Sequence, residues 1–300
     1  MKKITFIVIV YIFGVMGLQA QTADTATIPQ YWKLSGSAAI NMTQSSYSNW
    51  AVGGQNSIAG VLSGGLVLNY KKNKWTWNNT LDAAYGLMIQ DESGRSKTDD
   101  KIEIASKLGL KAAKKWSYTV LVQFKTQFDK GYKSYPVEDA DKGSYTSRFM
   151  APGYLTTSLG MNYNPNADFS LFLSPITMRT TFVQDKMLSD VGSYGVDPGK
   201  KSLVEYGAFV KATYQKKMVE DRILLKSKLE LFTNWAENPE NIDVNFELNI
   251  DFKVTKWLSA RLYGQMIYYD DVRIPDDNGV LKGPRLQVKQ VLGIGLSYIF

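Results

Sequence analysis

Along residues 285–300 apolar and polar side chains take turns. Leu286, Val288, Leu292, Ile294, Leu296, Tyr298 and Phe300 share one parity, and Arg285, Gln287, Lys289, Gly293, Gly295 and Ser297 the other. Successive side chains of a strand point to opposite faces, so the pattern predicts a strand with one apolar and one polar face. At 241–254, Ile242, Val244, Phe246, Leu248, Ile250 and Phe252 interleave with Asp243, Asn245, Glu247, Asn249, Asp251 and Lys253. At 115–129, Trp116, Tyr118, Val120, Val122 and Phe124 interleave with Ser117, Thr119, Gln123 and Lys125. Charges spaced through one parity leave no helical stripe. The period predicts twelve strands: 32–42, 57–70, 75–90, 101–112, 115–129, 153–164, 168–183, 202–215, 221–235, 241–254, 257–269 and 285–300. Pro175 falls inside the seventh. Proline cannot donate to a ladder, so a bulge or bend is expected there.

The connections between these strands alternate in length. Residues 71–74, 113–114, 165–167, 216–220 and 255–256 are tight; 43–56, 91–100, 130–152, 184–201 and 270–284 are long, with 236–240 a short exception. Short turns at one end and long loops at the other are the pattern of an up-and-down antiparallel barrel crossing an outer membrane. The fold expected is therefore all-β, a transmembrane barrel over 32–300. Aromatic residues mark the strand ends. Trp75, Trp77, Trp116, Phe169 and Trp257 follow tight turns, and Tyr85, Phe128, Tyr154, Trp235 and Tyr268 lie at the opposite end. Two belts of amphipathic rings are expected at two lipid–water boundaries. Lysines 71, 72, 74, 114, 115, 216, 217, 253 and 256 gather at the tight turns, where they could meet lipid headgroups.

Ahead of this region, Lys2 and Lys3 precede an apolar run from Ile4 to Leu18, and Ala20 closes it. That is the form of an exported leader cleaved after about Ala20, too short to be preferred as a span. Residues 21–31 then form an N-terminal periplasmic tail. Loss of Lys2 and Lys3 lowers the formal charge from +7 to +5. The basic balance would raise nucleic acid as a partner, but export argues against it, and none is expected. An exported chain without cysteine takes its stability from architecture rather than disulfides.

The chain also contains no histidine, which excludes Ser-His-Asp and Cys-His hydrolysis and His-ligated zinc. Carboxylate or lysine chemistry is what remains, and no enzyme, cofactor or metal is expected. Asp271, Asp276, Asp277, Asn278 and Gly279 could offer oxygens to Ca²⁺, but Asp-Asn-Gly is first a turn signal. Strand parity assigns to the lumen Glu103, Lys107, Lys125, Glu205, Lys211, Arg222, Lys226, Lys228, Glu230, Asp243, Glu247, Asp251 and Arg261. Ladder alternation alone places carboxylates such as Asp243 and Glu247 on one face, so an ion-pair network or pore lining is expected rather than a catalytic dyad. Twelve strands lie between the filled eight-stranded barrel and the open sixteen-stranded one.

Two segments carry resemblances. Tyr298 and the terminal Phe300 resemble the C-terminal assembly signal of bacterial outer-membrane barrels, which implies the barrel assembly machinery as a partner. In the first long loop Gln44, Asn49, Trp50, Gly53 and Gly54 form an Asn-Trp-x-x-Gly-Gly segment. It resembles the N-terminal signature of a family of uncharacterised Bacteroidota outer-membrane barrel proteins. The resemblance implies a barrel in the cell outer membrane and supplies no activity. The function expected is a small-solute channel or transport protein with a charged lumen; the alternative is a plugged structural or interaction barrel engaging lipid or an envelope assembly or secretion partner.

Overall fold

The computed structural model describes residues 31–46, 56–91, 94–132, 145–270, 272 and 283–300. Outside them lie the leader, all of the tail but Tyr31, and Asn49, Trp50, Gly53 and Gly54. Asp271, Asp276 and Asp277 lie outside them too.

The barrel begins with β1 (Trp32–Ser45), β2 (Ser57–Lys72), β3 (Trp75–Gln90), β4 (Gly94–Lys111) and β5 (Trp116–Thr126). A small separate hairpin follows, β6 (Gly131–Tyr132) with β7 (Tyr145–Ser147). The barrel resumes with β8 (Gly153–Tyr163), β9 (Phe169–Phe182), β10 (Ser202–Met218), β11 (Ile223–Asn234), β12 (Asp243–Lys253), β13 (Leu258–Tyr268) and β14 (Gln287–Ile299). A one-turn helix, α1 (Lys186–Asp190), lies between β9 and β10. The ring closes in the order β1-β14-β13-β12-β11-β10-β9-β8-β5-β4-β3-β2, with every barrel pair antiparallel. At the closing seam Ser37–Met42 pairs with Ile294–Ile299. Gly36 and Phe300 exchange backbone hydrogen bonds of 2.9 and 3.0 Å. Closure removes the unpaired edges that an open sheet would present.

All twelve expected strands are present, with three differences. β4 starts at Gly94, so most of the expected 91–100 loop is strand. Its alternation is hidden in sequence by a bulge, where Gly86 opposite Asp99 is followed by Leu87 opposite Lys97. β1 continues to Ser45, and Gln44 pairs with Ile58; Gln44 is a strand residue, not part of an outer loop. The polar run Thr43–Ser46 lacks the alternation that would have extended the strand. Arg222, assigned to the lumen by parity, is an exposed residue of the turn before β11. Parity has no meaning where the chain reverses.

Pro175 sits in a bulge, as expected. On one side the register passes from Gly207–Thr177 to Phe209–Ser174, and on the other from Leu159–Ile176 to Met161–Leu173. The bulge shifts the inward phase of β9 from Phe172 and Ser174 to Thr177 and Arg179.

The distribution of side chains is inverted relative to a water-soluble protein. Leu292, Leu296 and Ile176 are more than 60% exposed, whereas Glu103, Glu205 and Glu230 are 5% exposed or less. Val120, Val122, Ile104, Leu159, Leu62 and Ile294 extend the outer apolar band. A contiguous exposed apolar surface of this extent requires lipid rather than water. Rings flank the band. Trp32 lies against Tyr70 at 4.8 Å, and Trp116 against Tyr163 at 4.7 Å, at the tight-turn end. Tyr85 meets Phe128 at 6.4 Å at the other end. This orientation predicts reactivity. In folded protein in vesicles, Cys placed at Glu247, Asp251, Lys125 or Lys289 should react with a membrane-impermeant thiol reagent where the lumen is hydrated. Cys at Leu292, Leu296, Val120 or Val122 should be spared, and the reverse pattern would mean a one-residue slip of register.

Candidate site in the barrel lumen

The lumen is filled by two kinds of contact. Ala105, Leu121, Phe172, Phe209 and Phe232 form an apolar cluster inside the β4–β5–β9–β10–β11 wall, with the Phe172 and Phe209 rings 6.4 Å apart, edge to face. Beside it runs a chain of charges. Glu230 of β11 accepts from Lys125 of β5, from Lys211 of β10 at 2.9 Å and from Gln123 Nε2 at 3.1 Å. Glu103 of β4 receives Lys228 of β11 at 2.9 Å and Lys101 at 3.2 Å, with Lys211 at 3.9 Å. Glu247 of β12 receives Lys228 at 2.8 Å and Lys101 at 3.0 Å.

The Lys101–Glu247 pair has a particular geometry. β4 and β12 stand six places apart in the ring of twelve, which makes them diametrically opposite. A lysine and a glutamate from opposite walls meet at hydrogen-bond distance, so side chains cross the full width of the lumen at this level. Charges this enclosed are tolerated because each has partners; removing one partner leaves an unpaired buried charge.

Three further groups complete the lining. Arg179 of β9 grips Glu205 of β10 with two hydrogen bonds of 2.8 and 2.7 Å and also reaches Asp243 of β12. Its guanidinium lies 4.0 Å over the Phe232 ring. Arg261 of β13 binds Asp251 of β12 and donates to Ser63 Oγ of β2 at 3.0 Å. Lys107 donates to Asn162 Oδ1 at 3.1 Å and Ser170 Oγ at 3.3 Å. Lys226 shares the parity of Lys228 and Glu230 and is exposed.

The structure thus brings together Glu103, Lys125, Lys211, Lys228, Glu230 and Glu247 in one network and Glu205 with Asp243 in another. It leaves Arg222 apart. Sequence reasoning missed Lys101 and Arg179. Lys101 shares the parity of Glu103 and Lys107, so that signal was available. Arg179 has the wrong parity relative to Phe172 until the Pro175 bulge is known.

The mouth at the long-loop end is shaped by a packed cap. Ala151, Val183, Leu188 and Val196 form an apolar cluster, with Tyr145, Met187, Tyr194 and Leu203 against it. Asp185 caps α1 through the Leu188 N–H at 3.1 Å and binds the Tyr145 hydroxyl at 2.6 Å and Arg148 Nη1 at 2.8 Å. Burial works against its charge, but these hydrogen bonds hold the carboxyl below the usual carboxylate range. Tyr194 has a left-handed backbone (φ 58°, ψ 32°), a conformation a bulky residue keeps only where its surroundings hold it. Its hydroxyl donates to the Thr146 carbonyl.

A family described as a protein of unknown function (DUF3078) matches residues 42–132, a stretch that includes the Asn49 to Gly54 segment. No curated protein matches the chain. Among solved structures, the COG4313 outer membrane channel from Pseudomonas putida F1 is similar at 12% identity and a TM-score of 0.40, covering 94% of this chain and 100% of that one. The NanC porin is similar at 8% identity and a TM-score of 0.39, covering 87% and 98%. The translocator domain of the autotransporter NalP from Neisseria meningitidis is similar at 9% identity and a TM-score of 0.33, covering 98% and 97%.

Proposed function

We propose that the protein is an outer-membrane β-barrel whose lumen is held shut, a structural or interaction barrel rather than an open pore. The observation that carries this reading is the Lys101–Glu247 bridge between opposite walls, backed by the enclosed apolar cluster around Phe172. Export by residues 1–20, and insertion by the barrel assembly machinery through Tyr298 and Phe300, belong to the same proposal. Those two rings stack at 5.9 Å on the outer surface. The exposed lysines of the tight-turn rim, among them Lys71, Lys74, Lys114, Lys115 and Lys256, would meet anionic headgroups on the periplasmic side.

A second reading, a small-solute channel in its closed state, is favoured by one feature. Above the bridge the lumen widens into a cavity of about 390 Å³ that opens toward the long loops. A purely structural plug needs no such space. Cell fractionation together with liposome swelling tests the proposal. The mature protein, lacking residues 1–20, should sediment with outer-membrane lipid, and liposomes carrying it should not swell in isosmotic arabinose. Recovery in the soluble fraction would refute the membrane reading. Swelling at the rate of an open porin would refute closure and leave the channel.

A further inference from the structure

We propose that the vestibule above the bridge is a binding site for a short neutral saccharide. The proposal rests on the closed-lumen reading, because the Lys101–Glu247 bridge supplies the floor. The cavity of about 390 Å³ lies within the range of small-molecule pockets, about 300–1,000 Å³. Its lining has two properties that select ligand chemistry.

The first is charge. Lys97, Lys101, Lys125 and Lys289 line the vestibule together with as many carboxylates, Asp99, Asp100, Glu103 and Glu247. Each lysine is already paired: Lys97 with Asp100 at 2.6 Å, Lys289 with Asp99 at 2.9 Å, Lys101 with Glu247 at 3.0 Å, and Lys125 with Glu230. An ionic ligand would have to break one of these pairs and strand an enclosed charge. A neutral ligand pays no such penalty.

The second is the combination of rings and amides. Tyr154, Tyr194, Tyr263 and Tyr269 form the walls. Each offers an apolar face that fits the C–H face of a pyranose; the Tyr194 and Tyr263 hydroxyls are already bonded to Thr146 and Gln265. Tyr154 and Tyr269 adjoin at 6.3 Å, and among the described residues their hydroxyls make no hydrogen bond. Gln265 donates to Asn245 at 3.1 Å and accepts from the Tyr263 hydroxyl at 3.2 Å, and Asn245 donates to Glu230 at 3.4 Å; each amide nitrogen keeps a second N–H for a sugar hydroxyl. Paired charges, apolar ring faces, the spare N–H of each amide and the Tyr154 and Tyr269 hydroxyls fit a ligand that is polar all round and carries no charge.

The test uses the purified full-length barrel in detergent micelles on an array of neutral, acidic and cationic oligosaccharides. Binding should be confined to neutral glycans. It should weaken at least tenfold in Tyr269→Ala and in Gln265→Trp, which fills the cavity without removing a ring. Both variants must keep the heat-dependent gel shift of a folded barrel, and a variant that loses it is replaced by Asn245→Trp. Binding only to charged glycans, no binding at all, or neutral binding unchanged by cavity filling would each overturn the proposal. Conductance is not read in this assay, so a conducting barrel would refute the closed floor separately from the ligand class.

Discussion

Replacing Glu103 with glutamine should lower the unfolding free energy of the barrel by about 3–5 kcal/mol, the cost of leaving an enclosed lysine network one anion short. Glu103 is 3% exposed and receives lysines from β4, β10 and β11, so its neutralisation removes the anion that Lys101, Lys211 and Lys228 share. Glutamine keeps the shape, so the loss reports charge rather than a cavity. Urea unfolding in detergent, followed by tryptophan emission, reads it directly. Removing Lys228 as well, as methionine, should restore part of the loss, because the two sites act as one unit. Lys186→Ala supplies the contrast. Its pair with Asp190 lies on the surface, 86% and 50% exposed, and the substitution should leave unfolding unchanged. A Glu103→Gln barrel as stable as the wild type would mean that the network is solvated and does not bind the walls together.

Gly295→Ala should prevent closure of the barrel. A Cβ at this position would lie 2.0 Å from the Ile40 carbonyl oxygen and 2.7 Å from Asn41 Cα, both backbone atoms of β1 across the seam. Backbone cannot step aside as a side chain can, so β14 would have to move away from β1. The seam has little reserve, since only Ser37–Met42 and Ile294–Ile299 are registered there, whereas β1 and β2 pair along Trp32–Ser45. The fraction of protein showing the folded gel shift after refolding should fall severalfold. Gly60→Ala is the matched control, because nothing lies within 4 Å of its added Cβ. Equal yields for the two variants would contradict the seam geometry.

The barrel was legible in sequence because the period of a strand is two and lipid makes that period visible. The parity of Leu292, Leu296, Val120 and Val122 is the parity the structure turns outward. Alternating connection lengths supplied the topology. Where alternation fails, legibility fails with it. The bulge opposite Gly86 hid the first turn of β4, and Pro175 inverted the phase that would have brought Arg179 inward. The two-residue β6, the three-residue β7 and the five-residue α1 are too short to carry a period and are held by tertiary contacts such as Tyr145–Asp185. The candidate site was legible as a face but not as a set of pairs. Parity names Glu247 and Glu103 as inward, yet says nothing about which wall they meet. That depends on the closed ring, which brings Lys101 to Glu247 across 146 positions.

The central claim is that side chains bridging opposite walls shut this lumen, and single-barrel conductance in a planar bilayer in KCl tests it most directly. Wild-type protein should insert without conducting, and the Lys101→Ala/Glu247→Ala double variant should show discrete steps once the bridge is gone. Steady wild-type conductance that the double variant leaves unchanged would contradict the account.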